Sequence, residues 1–334
     1  MLPRMKQIPA RSFSPRAALS GARSTARTAA VTSWVLAALL GASGSWAQSN
    51  TAAAGEAPTA VAGAKEYTPT RGQAGKDVIW IATPDAHVDR MLQLANAAPS
   101  DVLMDLGSGD GKIVIAAAKR GLRGHGVEYN ADLVELSKRR AAQAGVQERT
   151  SFAKANLFDV DLSQASIITM YLLPELNLQL RPKLFTLKPG TRIVSHDFRM
   201  GKWQPDETSE VGMNKVHLWV IPANAGGMWE GALPTVGGEV KLRLHLTQTF
   251  QQVQGQALLP GVSTTLREVQ LLGTQLRLAF TDEQGKLRRF EGQVGPTALE
   301  GTVDGQRLAL RRVGEAPAIA GSGPVPPEDM EYIQ

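Results

Sequence analysis

The segment Val102-Leu-Met-Asp105-Leu-Gly107-Ser-Gly109-Asp110-Gly111-Lys112 decides the fold of this chain. Its first four residues are a short apolar run that ends in an acid, which is typical of a buried strand, and a helical pattern begins at residue 113. The three glycines between them permit a tight strand-to-helix turn whose backbone can approach a ligand without interference from Cβ atoms. The segment therefore predicts a strand, a ligand-binding turn and a helix.

The charges around this turn predict the chemistry of its ligand. The spacing is Gly-x-Gly-x-Gly rather than the Gly-x-Gly-x-x-Gly of dinucleotide folds, and Asp105 and Asp110 place negative charge where a pyrophosphate would have to lie. Glu128, at the end of the next predicted strand, can accept charge-assisted hydrogen bonds from two ribose hydroxyls. This pattern suits S-adenosylmethionine, which carries an ammonium and a sulfonium cation and no phosphate.

The pattern of apolar residues divides the chain into two folded parts. Strand-like and helix-like segments alternate over residues 77–221, which predicts an α/β fold with a parallel sheet and helices on both faces. Beyond a composition break at 223–227 the pattern changes to a period of two, and roughly seven or eight short strands predict a small all-β barrel or sandwich. We expect a signal peptide at 1–47, a flexible linker at 48–75, the α/β domain at 76–222, the antiparallel β domain at 227–313 and a disordered tail at 314–334.

The formal net charge of +5 belongs to the N-terminal segment. The chain has 36 Lys and Arg against 31 Asp and Glu, and its first 47 residues carry six of the basic residues and no acid. Removing them leaves 30 basic residues against 31 acidic ones, so no basic surface for a nucleic acid is expected. The absence of cysteine excludes disulfides, cysteine-ligated metals and thiol catalysis.

Residues 1–47 have the pattern of a secretory signal. A basic stretch precedes a mostly apolar run over 29–40, and Ser45 and Ala47 stand at the −3 and −1 positions of a cleavage site. The apolar run is shorter than the ~20 residues that a membrane span needs. We therefore expect a periplasmic or secreted mature chain without an integral membrane span. An N-terminal membrane anchor and an organellar transit peptide are the alternatives.

Four motifs resemble those of one enzyme family. Residues 105–111 with Glu128 look like the cofactor motif of class I S-adenosylmethionine-dependent methyltransferases. With Val78-Ile-Trp-Ile-Ala-Thr-Pro84, Tyr171-Leu-Leu-Pro-Glu-Leu-Asn177 and Lys188-Pro-Gly-Thr-Arg-Ile-Val-Ser-His-Asp197, they are similar to bacterial relatives of the mitochondrial ATP synthase c-subunit lysine methyltransferase. The resemblance implies a Rossmann-like seven-stranded sheet, S-adenosylmethionine as cofactor, and N-methylation of a lysine side chain of a protein.

The resemblance also implies a set of cofactor-binding residues. Asp105 and the amides near Gly107 and Gly109 would hold the methionine part, and Glu128 the ribose. Asn156 stands where the family often has an aspartate that bonds the adenine amine. The expected cofactor-binding residues are Thr83, which could close over the methionine carboxylate, and Asp105, Gly107, Ser108, Gly109, Gly111, Glu128, Asn130 and Asn156.

The acceptor-side candidates are Tyr171, Pro174, His196 and Asp197. Tyr171 to Pro174 follows the fourth predicted strand, where acceptor-side groups emerge in this fold, and the proline would make the backbone irregular there. His196 is interpreted either as a general base or, with Asp197, as a polar pair that fixes a loop. Among other candidates, His217 and Trp229 are expected to be structural, Trp80 belongs to the core or stacks on a ligand, and His87 is expected on a solvated helix face.

Two other functions stay open on these residues. The cofactor half equally suits a small-molecule methyltransferase. An exported protein would meet little S-adenosylmethionine, which is made in the cytosol, so a non-catalytic binding protein with this fold is the other alternative. The Asn-Pro-Pro-Tyr signature of exocyclic-amine DNA methyltransferases is absent, which counts against base methylation. We expect a protein or small-molecule acceptor, no metal and no nucleic-acid partner.

Overall fold

The computed structural model describes residues 67–73 and 80–327, which belong to one compact unit. The predicted signal peptide, most of the predicted linker and residues 328–334 lie outside the described residues. Within the described ranges, no helix has the length and apolar character that a membrane crossing requires.

The first sheet has the strand order of a class I methyltransferase. Its strands run β3-β2-β1-β4-β5-β7-β6, with β1 to β5 parallel and β7 antiparallel to both of its neighbours. The predicted seven-stranded sheet is confirmed, but it is mixed rather than wholly parallel, because a β6–β7 hairpin completes it. The sequence analysis missed β6, a short edge strand with no buried residue. The strands are β1 (Val102–Leu106), β2 (Arg123–Glu128), β3 (Thr150–Lys154), β4 (Ile167–Met170), β5 (Arg192–His196), β6 (Glu207–Val211) and β7 (Asn214–Val220).

Helices cover both faces of this sheet. Successive residues of a strand point to opposite faces of the sheet. Leu103 and Met104 of β1 therefore belong to two separate hydrophobic cores. One core contains residues of the first three helices and the other contains residues of the fourth. The α-helices are α1 (Asp85–Leu94), α2 (Lys112–Lys119), α3 (Ala131–Gln143) and α4 (Pro174–Leu184), and a 3₁₀ turn spans Gln147–Arg149.

The second sheet is antiparallel, has nine strands and is nearly closed into a barrel. Its strand order is β11-β10-β9-β8-β16-β15-β14-β13-β12, and the amide of Leu266 donates to the carbonyl of Gly255 across the seam (3.0 Å). Trp229 is fully buried in its core, as predicted. The strands are β8 (Gly227–Thr235), β9 (Gly238–Thr249), β10 (Gln252–Leu259), β11 (Val262–Thr265), β12 (Arg267–Leu272), β13 (Gln275–Thr281), β14 (Leu287–Val294), β15 (Ala298–Val303) and β16 (Gln306–Val313).

A turn of the barrel-like sheet inserts a phenylalanine into the core of the α/β domain. Phe250, between β9 and β10, packs with its ring centroid 6.0 Å from that of Phe185 and 6.1 Å from that of Trp203. The guanidinium carbon of Arg181, on α4, lies 5.4 Å from the Phe250 ring centroid. The neighbouring Gln251 accepts a hydrogen bond from the indole N–H of Trp203 (2.9 Å). The two domains therefore share a packed interface.

The described part of the C-terminal segment is held against this turn. The amide of Phe250 donates to the carbonyl of Ala320 (3.0 Å), and the side-chain amide of Asn224 donates to the carbonyl of Pro317 (2.6 Å). A Cβ atom on Gly321 would lie 2.4 Å from the Phe250 ring, so only glycine fits there. Residues 314–327 thus differ from the disordered tail that their composition suggested, because backbone hydrogen bonds hold a segment that has no periodic side-chain pattern.

We expect Phe250→Ala to lower the free energy of unfolding by about 3–5 kcal/mol, because it removes a buried ring shared by both domains and leaves a cavity. Denaturant unfolding of the full chain measures this change. Met213→Ala, at a fully exposed position on the β6–β7 hairpin, is the control and should change it by less than about 0.5 kcal/mol. A loss below about 1 kcal/mol in Phe250→Ala would show that the ring does not hold the domains together.

Candidate cofactor and acceptor site

The turn between β1 and α2 has a backbone that requires glycine. The φ angles of Gly107, Gly109 and Gly111 are +77°, +53° and +78°, in the left-handed region that side chains with a Cβ disfavour. The amides of Gly107 and Ser108 both donate to the carbonyl of Val127, at 2.9 and 3.0 Å, and so tie the turn to β2. The result is a bare backbone surface at the carboxyl end of the central strands.

Glu128 joins this turn to the loop after β2. One carboxylate oxygen accepts from the amide of Gly109 and the other from the amide of Asn130, each at 2.9 Å. A carboxylate oxygen has two acceptor positions, so both oxygens keep capacity for a further donor. Asn130 itself caps α3 by accepting from the amide of Asp132 (2.9 Å). The carboxylate is therefore preoriented for ligand hydroxyls.

Asp105 is a buried acid at the end of β1. Burial raises its pKa to about 7, the charges of Glu128 and Asp110 add to this rise, and a hydrogen bond from the hydroxyl of Thr169 (2.7 Å) opposes it. A buried carboxylate is costly unless a cation accompanies it. A cationic ligand group in the cleft would supply that partner.

Asp110 and Gly111 have structural partners of their own. Asp110 forms an ion pair with Arg140 of α3 and accepts from the amide of Lys112. Gly111 lies where a Cβ atom would meet Ser137 at 2.8 Å, so its role is to let α2 approach α3. The structure does not place Gly111 among the residues that line the cleft.

A cleft of about 1010 Å³, counted with the open solvent at its mouth, lies over the turn. It brings together most of the residues that the sequence analysis selected and does not include Gly111, Pro174, His196 or Asp197. The selected residues that line it are Thr83, Asp105, Gly107, Ser108, Gly109, Glu128, Asn130, Asn156 and Tyr171. Sequence reasoning missed Gln73, Lys112 and Tyr129, which also line it, although Lys112 and Tyr129 directly follow residues that it selected.

Two cleft residues, Trp80 and Asn156, make contacts that could not be predicted from the sequence. Trp80 lies against the glycine turn, where a Cβ on Gly109 would be 2.6 Å from the indole nitrogen, so it is a wall of the cleft. Asn156 lines the cleft while its side chain accepts from the amide of Phe158 (3.3 Å) and donates to Asp159 (3.0 Å). The amide oxygen of Asn156 keeps one acceptor position for a ligand amine.

His196 is buried behind the cleft rather than in it. Its ring centroid lies 4.0 Å from that of Tyr171 and 4.5 Å from that of His87. Neither ring nitrogen has a hydrogen-bond partner among the described residues, and the nearest charge is Asp197, 3.8 Å from Nε2. Burial lowers the pKa of His196 to about 4, so the ring is neutral at pH 7. His196 therefore contacts Tyr171 and does not face the cleft.

Asp197 anchors the β6–β7 hairpin. Its carboxylate accepts from the amide of Lys215 (2.8 Å) and from the side chain of Asn214, and its own φ of +64° is left-handed. Nε2 of His217 lies 3.1 Å from the Asp197 carbonyl, and Thr208 contacts the other nitrogen of His217 at 2.9 Å. These contacts favour the polar pair that fixes a loop over a catalytic role for Asp197.

The expected solvent exposure of His87 is wrong. His87 is 7% exposed and neither of its ring nitrogens has a hydrogen-bond partner among the described residues. The reason is helical spacing: His87 shares a face of α1 with the buried Met91 and Leu94, and α1 packs against β5, β6 and β7 of the sheet. Among the described residues, no group of three or more histidines and acids is arranged to hold a metal ion.

Comparisons with known proteins relate this site to lysine methyltransferases. Residues 105–207 match the model of the ANTKMT methyltransferase domain. This match ends before the barrel-like sheet begins at Gly227. A protein-lysine N-methyltransferase of Saccharolobus islandicus (strain REY15A) is 42% identical over 151 residues, which are 43% of this chain and 94% of the relative.

Animal enzymes and a solved structure are also similar. The human ATP synthase c-subunit lysine N-methyltransferase is 38% identical over 123 residues, covering 36% of this chain and 52% of the relative. The mouse adenine nucleotide translocase lysine N-methyltransferase is 32% identical, covering 45% and 65%. A Salinibacter ruber RNA methyltransferase, solved with S-adenosyl-L-homocysteine, is 49% identical with a TM-score of 0.42, covering 42% of this chain and 94% of that one. The chain thus spans nearly all of the archaeal relative and about half to two thirds of these animal enzymes.

We expect S-adenosylmethionine to bind about tenfold more tightly at pH 8 than at pH 6. With a pKa of about 7, Asp105 is mostly protonated at pH 6 and mostly ionised at pH 8, and only the ionised form attracts the ligand's ammonium. Calorimetric titration measures the Kd. Asp105→Asn is the matched control and should bind weakly with no such dependence. A wild-type Kd that stays constant across this range would contradict the assignment.

We expect His196→Phe to keep the rate constant kcat within about fivefold of the wild type, because a phenyl ring preserves the contact with Tyr171. His196→Ala should lower kcat/KM for the acceptor about tenfold, because the Tyr171 ring loses the side chain that packs against it. The Kd of the cofactor should stay unchanged. Steady-state kinetics with thermal unfolding as the folding control separates the two variants. Removal of a general base would cost about 10²–10⁴-fold, so a loss of that size in both variants would establish base catalysis instead.

Proposed function

The chain belongs to the protein-lysine N-methyltransferases, and we propose that it transfers the methyl group of S-adenosylmethionine to the ε-amine of a lysine in a partner protein. Its cofactor is S-adenosylmethionine. The observation that carries the proposal is the cleft over the glycine turn, which is lined by both Asp105 and Glu128 although they stand 23 residues apart in sequence. The similarity to enzymes that are named for lysine methylation supports the choice of acceptor.

The residues of the cleft fit the parts of this cofactor. When bound, it supplies an electrophilic methyl group on a sulfonium. The ionised carboxylate of Asp105 binds the ammonium, and the two oxygens of Glu128 accept from the ribose hydroxyls. The left-handed glycines keep side chains away, so the backbone can approach the ligand closely. Methyl transfer of this kind depends mainly on holding the two reactants in line.

The acceptor enters beside Tyr171. This residue lines the cleft at the end of β4, and residues 171–173 have no regular secondary structure before α4 begins at Pro174. Burial raises the pKa of the Tyr171 phenol, with Asp197 adding to the rise, so the hydroxyl stays protonated at neutral pH. Tyr171 therefore offers the incoming amine an aromatic ring and an uncharged hydroxyl. His196 packs against this ring from behind and is itself packed against His87.

The surroundings of the cleft suit a macromolecular acceptor. Tyr129, which lines the cleft after β2, is 49% exposed, and Leu173, next to the lining residue Leu172, is 42% exposed. Exposed apolar side chains at one site are typical of a surface that contacts another protein. A small-molecule enzyme would instead be expected to enclose its acceptor.

Incubation of the purified full chain with a cell lysate and methyl-tritiated S-adenosylmethionine tests the function. We expect labelled protein bands, with label recovered as methyl-lysine after hydrolysis. Glu128→Ala should abolish labelling because it removes the ribose acceptor and the partner of the Gly109 amide. Glu135→Ala, an exposed change on α3, is the matched control and should label normally. Label confined to small molecules would refute the lysine assignment.

A further inference from the structure

Asn177 is a buried carboxamide on α4 that has no part in the cofactor site. It is the last residue of the segment Tyr171-Leu-Leu-Pro-Glu-Leu-Asn177, its side chain is 0% exposed, and it does not line the cleft. Its Oδ1 has no hydrogen-bond partner among the described residues. A buried acceptor without a partner is costly, and asparagine is a weaker helix former than leucine. Local stability therefore does not explain an asparagine at this position.

The side-chain nitrogen of Asn177 holds the backbone that follows β5. It donates to the carbonyls of Phe198 (3.3 Å) and Arg199 (3.4 Å). The hydroxyl of Ser195 donates to the Phe198 carbonyl as well (2.7 Å). Residues 197–199 belong to no helix or strand, so these side chains supply the partners that regular structure would otherwise give the backbone.

Arg181 extends this support by one more residue. It lies one helical turn after Asn177, is 1% exposed, and donates to the carbonyl of Met200 (3.3 Å). Side chains of α4 therefore donate to three successive backbone carbonyls, those of residues 198–200. Because the Arg181 guanidinium also packs against Phe250, the same helix connects this segment to the barrel-like sheet.

The segment held by α4 carries Phe198, whose ring lies against Tyr171. The ring centroids of Phe198 and Tyr171 are 6.1 Å apart and the ring planes are 19° from parallel, which is a stacked arrangement. His196, two residues before Phe198, packs against Tyr171 with its ring centroid at 4.0 Å. Tyr171 itself lines the cleft. A displacement of the segment would therefore reach the cleft through the Tyr171 ring.

We propose that Asn177 is a positioning residue for the methyl acceptor. By fixing the Phe198 carbonyl it keeps the Phe198 ring on Tyr171, beside which the lysine of the partner protein enters. This assignment rests on the proposed function. It concerns the acceptor and not the cofactor, because the hydrogen bonds that orient Asp105 and Glu128 come from other segments.

Two variants of Asn177 test the assignment in the full chain. Asn177→Leu removes the donor, and Asn177→Asp removes it while keeping the shape of the side chain, so that one variant remains if the other does not fold. The initial rate of methyl-tritium incorporation into lysate proteins is measured at saturating S-adenosylmethionine and at lysate concentrations to which the rate is proportional. Under these conditions the rate reports kcat/KM for the acceptor.

We expect both variants to lose about tenfold or more in this rate, because a displacement of about 1 Å can cost about 10²-fold. The Kd of S-adenosylmethionine, measured by calorimetric titration, should stay unchanged. Gln179→Leu replaces an exposed carboxamide two residues further along α4. It is the matched control and should keep the wild-type rate and Kd.

A double-mutant cycle tests whether Asn177 acts through Phe198. Phe198→Ala removes the stacked ring at a half-buried position and should lower the same rate about fivefold. The double variant Asn177→Leu/Phe198→Ala should stay within about threefold of Asn177→Leu alone, because residues that act on one contact are not additive. Hydrogen exchange of residues 197–203 should be faster in Asn177→Leu than in the wild type, which checks the loop without any catalytic turnover.

Three outcomes would overturn the assignment and leave the proposed function intact. A wild-type rate in a folded Asn177→Leu or Asn177→Asp variant would show that the donor is not needed. Equal losses of rate and of cofactor affinity would mean that Asn177 supports the whole domain. Multiplication of the two single effects in the double variant would show that Asn177 does not act through Phe198. A wild type that labels no protein would refute the lysine acceptor and this assignment together.

Discussion

The hydrogen bond from the amide of Gly109 to the carboxylate of Glu128 is the interaction on which the site depends. It requires a left-handed backbone at Gly109, which glycine alone adopts without strain, and it joins the turn after β1 to the end of β2. The paired amides on the Val127 carbonyl hold the same two segments together. Asp105 directly precedes this turn and Trp80 packs against it, so the positions of both cleft residues depend on the same contact between β1 and β2.

Packed side chains also support the site from two sides. Behind Tyr171, two buried imidazoles without hydrogen-bond partners among the described residues pack as aromatic rings. On α4, which directly follows residues 171–173, Arg181 packs against Phe250 of the barrel-like sheet, as does Phe185 just after the helix. The β domain therefore contacts α4, whose Leu176 lines the cleft, and it contributes Phe250 to a core of the α/β domain.

Much of the fold and the cofactor half of the site could be predicted from the sequence. The glycine turn, Asp105 and Glu128 are recognisable because their chemistry depends on residues close together in the chain or at the ends of neighbouring strands. The antiparallel edge of the sheet was missed, because β6 is short and has no buried residue. His87 was misplaced and Lys112 overlooked for a related reason: which face of a helix is buried depends on what packs against it. The ordered path of residues 314–327 likewise depends on partners far away in sequence.

The sequence by itself determined the class of fold, the turn and the kind of ligand, because backbone propensities and the sign of local charges are properties of short segments. The tertiary structure decided which side chains face the cleft. It placed Lys112 there and His196 behind Tyr171, made Asp197 an anchor for a hairpin, and inserted Phe250 between the domains. The physical reason is that burial, side-chain direction and the resulting protonation state are set by contacts between segments that are distant in the chain.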